Sequence, residues 1–216
     1  MFLLELQDLT FGYLPQRPVI NALNLRVAPS ERIGVVGSNG TGKTTLLHLM
    51  VGLLTPQHGT VLFKGKACHT EHDFTFVRKS VSLLFQDVED QLFCPTVLED
   101  VAFGPLNQGL DPSSAFQRSR EALDLLGLRD LTDRPIYHLS RGEKQLVALA
   151  GLLAMTPELY LLDEPTTGLD SVARARVLEM LRGLPSAFVV VSHDAELLDA
   201  LGCKVYVLKD GRLALV

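Results

Sequence analysis

Apolar positions at the start of the chain follow a strand-like period. Leu4, Leu6, Leu9 and Phe11 share one face of a strand that slips once, and Ile20, Leu23, Leu25 and Val27 read similarly. Pro15 and Pro18 lie between these segments and mark a loop. Arg32-Ile33-Gly34-Val35-Val36 is a short apolar run of the kind a strand buried on both faces carries. It ends in a glycine-rich turn, after which Lys43 to Val51 reads as a helix. Thr60 to Phe63, followed by Lys64-Gly65-Lys66, reads as a strand entering a hairpin, and Val81 to Phe85 as a further strand. From Val97 to Met155 the signals turn mostly helical, over Ser119–Leu126 and Glu143–Met155, with Gly104, Pro105, Gly109 and Pro112 interrupting. Strand and helix alternate again at the end. Leu159–Leu162 is a buried strand, Val172–Leu184 a helix, Phe188–Val191 and Val205–Leu208 strands, and Asp210-Gly211 a hairpin turn. The pattern predicts an α/β core with a helical insertion.

A chain of 216 residues suits one domain with a substantial interior, and 47% hydrophobic with 21% charged residues fits a globular protein. The formal net charge of −5 and the lack of a basic run argue against a nucleic-acid partner. No apolar run reaches the roughly 18–20 residues of a membrane span; the longest comparable stretch is Leu146 to Met155. Met1-Phe2-Leu3-Leu4-Glu5 lacks a basic leader and a cleavage site, so a cytoplasmic location is expected. Cys68, Cys94 and Cys203 form no CxxC pair and suggest neither a disulfide framework nor a zinc knuckle.

Gly37-Ser38-Asn39-Gly40-Thr41-Gly42-Lys43-Thr44-Thr45 fits the phosphate-loop pattern GxxxxGK[ST], with a strand before it and a helix after. Glycines let successive backbone N–H groups turn toward one anion, and the positive end of the following helix points at the same place. Lys43 is expected to reach the β- and γ-phosphates of a nucleotide, and the Thr44 hydroxyl to bind Mg²⁺. Leu159-Tyr160-Leu161-Leu162-Asp163-Glu164 is a buried strand ending in two carboxylates, at the strand end where open α/β sheets hold ligands. Asp163 is expected to hold Mg²⁺, and Glu164 to orient or deprotonate an attacking water. His193 follows the apolar run Phe188-Val189-Val190-Val191-Ser192, where it can donate to a γ-phosphate and sense its loss. Ser140-Arg141-Gly142-Glu143 is a capping box ahead of an apolar helix, and such a helix start is also an anion site.

The order of these motifs resembles the ATP-binding cassette (ABC) family over nearly the whole chain. The resemblance implies a P-loop NTPase core with a mostly parallel sheet, an N-terminal antiparallel β subdomain and a helical subdomain. Within a single domain it divides the chain into 1–86, 87–155 and 156–216. It also implies two cassettes enclosing two ATP molecules, each site pairing one P-loop with the other subunit's signature helix. By matching position, Tyr13 takes the place of the aromatic that stacks on adenine. Gln86, in Leu84-Phe85-Gln86, takes that of the glutamine that joins Mg²⁺ and senses the transporter. Ser140 and Gly142 match the signature residues that act in trans, and Gly168-Leu169-Asp170 matches the D-loop, with Asp170 also acting in trans. Two signature positions depart from Leu-Ser-Gly-Gly-Gln: Arg141 stands for a glycine and Glu143 for the glutamine. Arg141 either adds a cation near the partner's γ-phosphate or points to solvent. Glu143 still satisfies the capping box.

Phe85 to Phe93 and Thr96 to Asn107 are similar to energy-coupling factor (ECF) ATPases, most of all to the cobalt/nickel branch, with biotin and other vitamin importers sharing much of the pattern. Cofactors and partners follow from that likeness: ATP, Mg²⁺, a second cassette, a membrane coupling subunit and a substrate-binding membrane subunit. Leu92, Phe93 and Phe103, apolar residues in a loop-like region, suit docking on that membrane partner. Some ECF ATPases carry a longer C-terminal dimerisation segment; Val216 follows soon after Asp210-Gly211, so pairing is expected to be weak without nucleotide or membrane partner. Cys68-His69-Thr70-Glu71-His72-Asp73 holds ligand types for Co²⁺, Ni²⁺ or Zn²⁺, but the residues are consecutive and match no known site. A non-transport ABC ATPase of translation or repair, and a P-loop kinase, are the rival readings. The first usually brings two cassettes or long coiled coils, which are absent here, and the second has no use for signature and D-loop sequences.

Overall fold

The computed structural model describes residues 1–14 and 17–216, so Pro15 lies outside the described residues. The chain divides into two compact units: Met1–Leu83 with Glu158–Asp163 and Pro185–Val216, and Leu84–Pro157 with Glu164–Leu184. Glu164–Leu184 thus groups with the helical stretch and not with the rest of the expected 156–216 segment.

The first unit begins with β1 (Leu4–Phe11) and β2 (Ile20–Val27), paired antiparallel. The slip in the apolar period is a bulge: the pairing register shifts between Leu6 and Leu9, and Asp8 takes a left-handed φ of 49°. The Asn24 side chain brackets that residue, accepting from the Asp8 N–H at 3.1 Å and donating to its carboxylate at 2.8 Å. The extra residue returns Leu9 to the buried face beside Leu4 and Leu6. With β4 (His58–Phe63) and β5 (Lys66–Cys68) these strands form a sheet of order β2-β1-β4-β5.

A second, six-stranded sheet follows from the apolar runs. It contains β3 (Arg32–Val36), β6 (Val81–Leu84), β7 (Leu159–Asp163), β8 (Ala187–Val191), β9 (Lys204–Lys209) and β10 (Arg212–Leu215), in the order β10-β9-β3-β8-β7-β6. β3 runs parallel to both β8 and β9, and β7 parallel to β8. β9 and β10 form an antiparallel hairpin; its turn residues Asp210 and Gly211 have φ of 52° and 74°, as that dipeptide favours. Helix α1 (Lys43–Met50) buries Leu46, Leu47, Leu49 and Met50 in one core cluster with both sheets. Burying these four side chains contributes on the order of 6–12 kcal/mol before the entropy of ordering them is subtracted.

The stretch that carries the metal-ligand residue types, where no helix is expected from the sequence, forms α2 (Glu71–Ser80). Thr70 and Asp73 form a reciprocal capping box, and Phe74 and Val77 face the core. The Asp73 carboxylate accepts from His69 N, Thr70 N and the Thr70 hydroxyl, at 3.1, 2.9 and 2.7 Å, and these bonds hold its pKa down at about 2. Among the described residues no three His, Cys, Asp or Glu side chains gather as a metal-binding set.

The second unit is helical: α3 (Val97–Asn107), α4 (Pro112–Leu125), α5 (Arg141–Met155) and α6 (Ser171–Gly183). Two expected interruptions are corrected. α3 runs through Gly104 and Pro105, since the bare α-carbon of Gly104 admits the Met155 side chain of α5: a Cβ there would lie 2.6 Å from it. Pro112 does not break α4 but starts it, in the first turn where its missing N–H has no intrahelical role, behind the Asp111 cap. Phe103 therefore sits on a helix, not in a loop. In the first unit, α7 (Ala195–Ala200) follows β8 and is capped by Asp194. Among the described residues no helix is long and apolar enough to cross a membrane.

Candidate nucleotide site and signature turn

In the first unit β3 delivers the chain at Val36 into the glycine-rich turn, and α1 leaves it at Lys43. Gly42 has a φ of 100°, and a Cβ there would lie 2.6 Å from Val19, so both backbone and space demand glycine. Gly37 is fixed by space: a Cβ would meet the Leu208 carbonyl at 2.7 Å. Among the described residues no side chain caps α1, which leaves its first N–H groups and the positive end of its dipole to an anion. Lys43 is 8% exposed, and its ammonium donates to the Gly37 and Ser38 carbonyls at 2.7 and 3.0 Å. An ammonium carries three donors, so the geometry keeps capacity for a phosphate over the turn.

The Thr44 hydroxyl donates to Asp163 Oδ2 at 2.6 Å, joining the start of α1 to the end of β7. Asp163 is 3% exposed. Burial pushes its carboxyl pKa up, against the Thr44 hydrogen bond and the charges of His48 and Lys43. A hydroxyl and a buried carboxylate side by side are hard oxygen donors, the set Mg²⁺ prefers, and a cation there would relieve the desolvated charge.

Tyr13 lies beside the same turn. Its hydroxyl is 3.2 Å from Thr45 Oγ1, its ring packs edge-on against Phe11 at 5.1 Å, and it is 64% exposed. With Gly40, Thr41, Val19 and the hairpin tip Asp210-Gly211 it lines a groove of about 470 Å³. His193 follows Ser192 at the end of β8 and shares with Gly37, Ser38 and Cys203 a second hollow of about 500 Å³. The first unit thus gathers Tyr13, the phosphate loop, Asp163 and His193 around one turn.

In the second unit Ser140 caps α5 as expected. Its side chain accepts from Glu143 N at 3.3 Å, and the Glu143 carboxylate accepts from Ser140 N at 2.7 Å. These bonds to Ser140 hold the Glu143 pKa below the ordinary carboxylate value. Gly142 lies against the D-loop: a Cβ there would stand 3.3 Å from the Gly168 carbonyl. Arg141 is exposed, with its stem along Gly168. Asp170 caps α6 by accepting from Ala173 N at 2.8 Å. Glu164, directly after Asp163, has a left-handed φ of 50°. Gln86 sits exposed in a bend. Phe93 and Phe103 meet edge to face at 4.8 Å while 65% and 45% exposed, and Leu92 is half-buried. Asp100 holds the loop behind Phe93, accepting from Phe93 N at 2.9 Å and Cys94 N at 2.7 Å.

A family profile described as ABC transporter matches residues 20–167. The chain belongs to the ABC transporter ATP-binding family. It is 42% identical over 217 residues to the energy-coupling factor transporter ATP-binding protein EcfA of Methanocaldococcus jannaschii, covering 99% of this chain and 78% of that one. It is 44% identical over 215 residues to the cobalt import ATP-binding protein CbiO of Rhodobacter capsulatus, covering 98% and 77%. Its fold matches cbiO1 of Clostridium perfringens, part of the ABC transporter complex cbiONQ, with a TM-score of 0.84 at 33% identity, over 99% of this chain and 87% of that one.

As an ABC ATPase the chain hydrolyses ATP in the service of transport. Within that frame the structure adds residues that sequence patterns did not supply. Asp210 and Gly211 read only as a turn, yet they wall the groove beside Tyr13, and Asn21 N donates to the Gly211 carbonyl at 2.9 Å to seat the hairpin there. Gln145 is a buried polar residue of α5 whose Nε2 donates to the Pro165 carbonyl at 3.2 Å. Its position inside an apolar helical face was the one local sign that it has a partner.

Proposed function

We propose that this chain is the ATP-hydrolysing subunit of an ECF-type importer of cobalt or nickel ions, bound to the cytoplasmic face of the membrane. The observation that carries the nucleotide reading is the joining of Thr44 to Asp163 at the mouth of a glycine turn that also holds Lys43. On this reading the β- and γ-phosphates take the turn's N–H groups and the Lys43 ammonium, and adenine stacks on the exposed face of Tyr13. Thr44 and Asp163 would hold Mg²⁺, which when bound would supply positive charge against the phosphates, and the resemblance gives Gln86 a share in that ion. Glu164 accepts a proton from, or orients, the attacking water; His193 donates to the γ-phosphate.

Ser140, Gly142 and Asp170 serve the nucleotide of a neighbouring cassette, for which a second copy of this chain is the simplest candidate. A signature helix with a bare glycine and a serine cap presents N–H groups to an anion, and one phosphate loop needs only one such helix start. The exposed Phe93–Phe103 pair supports docking on a membrane coupling subunit, because an edge-to-face aromatic pair left in solvent is surface without a use in the isolated chain. The names of the EcfA and CbiO relatives support the same reading.

The double substitution Phe93→Ser with Phe103→Ser is expected to lower recovery of membrane partner by roughly tenfold or more, since two aromatic anchors at an interface are together worth a few kcal/mol. ATP affinity should not change. Co-purification from membranes with a tagged chain, beside nucleotide binding, reads both. Recovery equal to wild type would remove these residues from the interface. Uptake of Co²⁺, Ni²⁺ and biotin by cells with and without this subunit decides the cargo, and loss of biotin uptake alone would overturn the metal-ion assignment.

A further inference from the structure

Glu164 adopts a backbone conformation that its sequence opposes. A left-handed φ of 50° is unfavourable for any residue with a Cβ, and the following Pro165 biases residue 164 toward an extended conformation. Such a conformation persists only where the surroundings over-determine it. The Thr167 N–H donates to the Glu164 carbonyl at 3.1 Å and closes the turn from one side. From the other side Gln145 Nε2 donates to the Pro165 carbonyl at 3.2 Å, although residues 145 and 165 are 20 apart in sequence. Gln145 is 4% exposed, on a helix otherwise packed with Leu, Val and Ala. A polar amide in that position is expensive to bury unless its hydrogen bonds matter to the fold or the site.

The same segment is fastened a second time. Gly142, one helical turn before Gln145, lets the Gly168 carbonyl approach the α5 backbone, and the aliphatic stem of Arg141 runs beside Gly168. The stretch after Glu164 therefore lies along the first turns of α5: Gln145 is hydrogen-bonded to Pro165, and Gly142 and the Arg141 stem lie beside Gly168.

We infer that Gln145 is a positioning residue for Glu164: its amide fixes the peptide that follows Glu164, and so the direction of the carboxylate, and links that carboxylate to the signature turn of the same chain. Engagement of Ser140 and Gly142 by a neighbour's nucleotide then acts on the chain's own Glu164 through α5. This inference rests on the reading of Glu164 as the group that handles the attacking water.

The test is Gln145→Met, which keeps length and shape and removes the donor, in the 216-residue chain. A misdirected carboxylate should lower kcat for ATP hydrolysis by about tenfold, with KM for ATP and the melting temperature within error of wild type. In a Glu164→Gln background the same substitution should lower the residual turnover by less than about twofold, because the group it positions is already gone. A general packing role would instead give equal losses in both backgrounds, and that result overturns the inference, as does a wild-type kcat. Should the Met variant melt early, Gln145→Leu, which likewise removes the donor without burying a charge or supplying a new one, takes its place with the same expectation. If Glu164→Gln itself turns over normally, the reading of Glu164 fails and takes this inference with it. If Glu164→Gln is inactive while Gln145→Met is fully active, only the inference about Gln145 fails.

Discussion

Replacing Glu164 by Gln should lower ATP turnover at saturating nucleotide by at least ~100-fold, the usual contribution of a positioned general base. Glutamine preserves the size of the side chain and tolerates the φ of 50° no worse than glutamate, so the turn from Asp163 to Pro165 should survive. What disappears is a negative charge that can accept a proton. ATP affinity should stay within a few-fold of wild type or improve, since on the proposed reading the change removes a negative charge from the neighbourhood of an anionic γ-phosphate. The same argument predicts that ATP-bound pairs of cassettes accumulate in this variant. Phosphate release and nucleotide-dependent molecular mass measure the two effects. Near-normal turnover would remove Glu164 from the reaction.

Lys43→Ala should fail one step earlier, at binding. A single charge-assisted hydrogen bond to phosphate is worth about 1.5–3 kcal/mol, or roughly 10- to 150-fold in Kd. Lys43 is nearly buried, so its ammonium is already stripped of most water, and its bonds to the Gly37 and Ser38 carbonyls hold it over the turn before any ligand arrives. Calorimetric titration with ATP should show weakened binding, whereas the same titration of Glu164→Gln should not. The contrast separates the cradle from the chemistry.

Legibility in the sequence depends on range. The phosphate loop declares itself locally because anion binding demands glycines, a lysine and a hydroxyl at fixed spacing along a strand–turn–helix path. The bulge in β1 showed as a slipped apolar period, because a one-residue insertion must shift every later side chain to the other face. The Ser140–Glu143 capping box was legible for the same reason: both partners lie within one turn. Local signs misled where packing overrode them. Gly104 and Pro105 look like helix breakers, yet α3 continues, since the glycine admits Met155 and a buried proline removes only one helical hydrogen bond. Around His69 and His72 the ligand residue types mask the capping box of α2, which the pattern Thr70-x-x-Asp73 carries. Contacts such as Gln145 with Pro165, or Asp210 with the groove of Tyr13, join elements far apart along the chain, and no local period reports them.

On the proposed function each ATP site is shared, with the P-loop of one cassette completed by the signature turn of another. Mixing two variants tests it most directly. Lys43→Ala spoils the P-loop half, and Ser140→Arg, which replaces the cap with a bulky cation, spoils the signature half; each chain alone should be nearly inactive. In an equal mixture half of the pairs contain one chain of each kind, and each such pair has one intact site, so hydrolysis should recover to roughly a quarter of the wild-type rate. A mixture as inactive as its components would contradict the account and confine the site to a single chain.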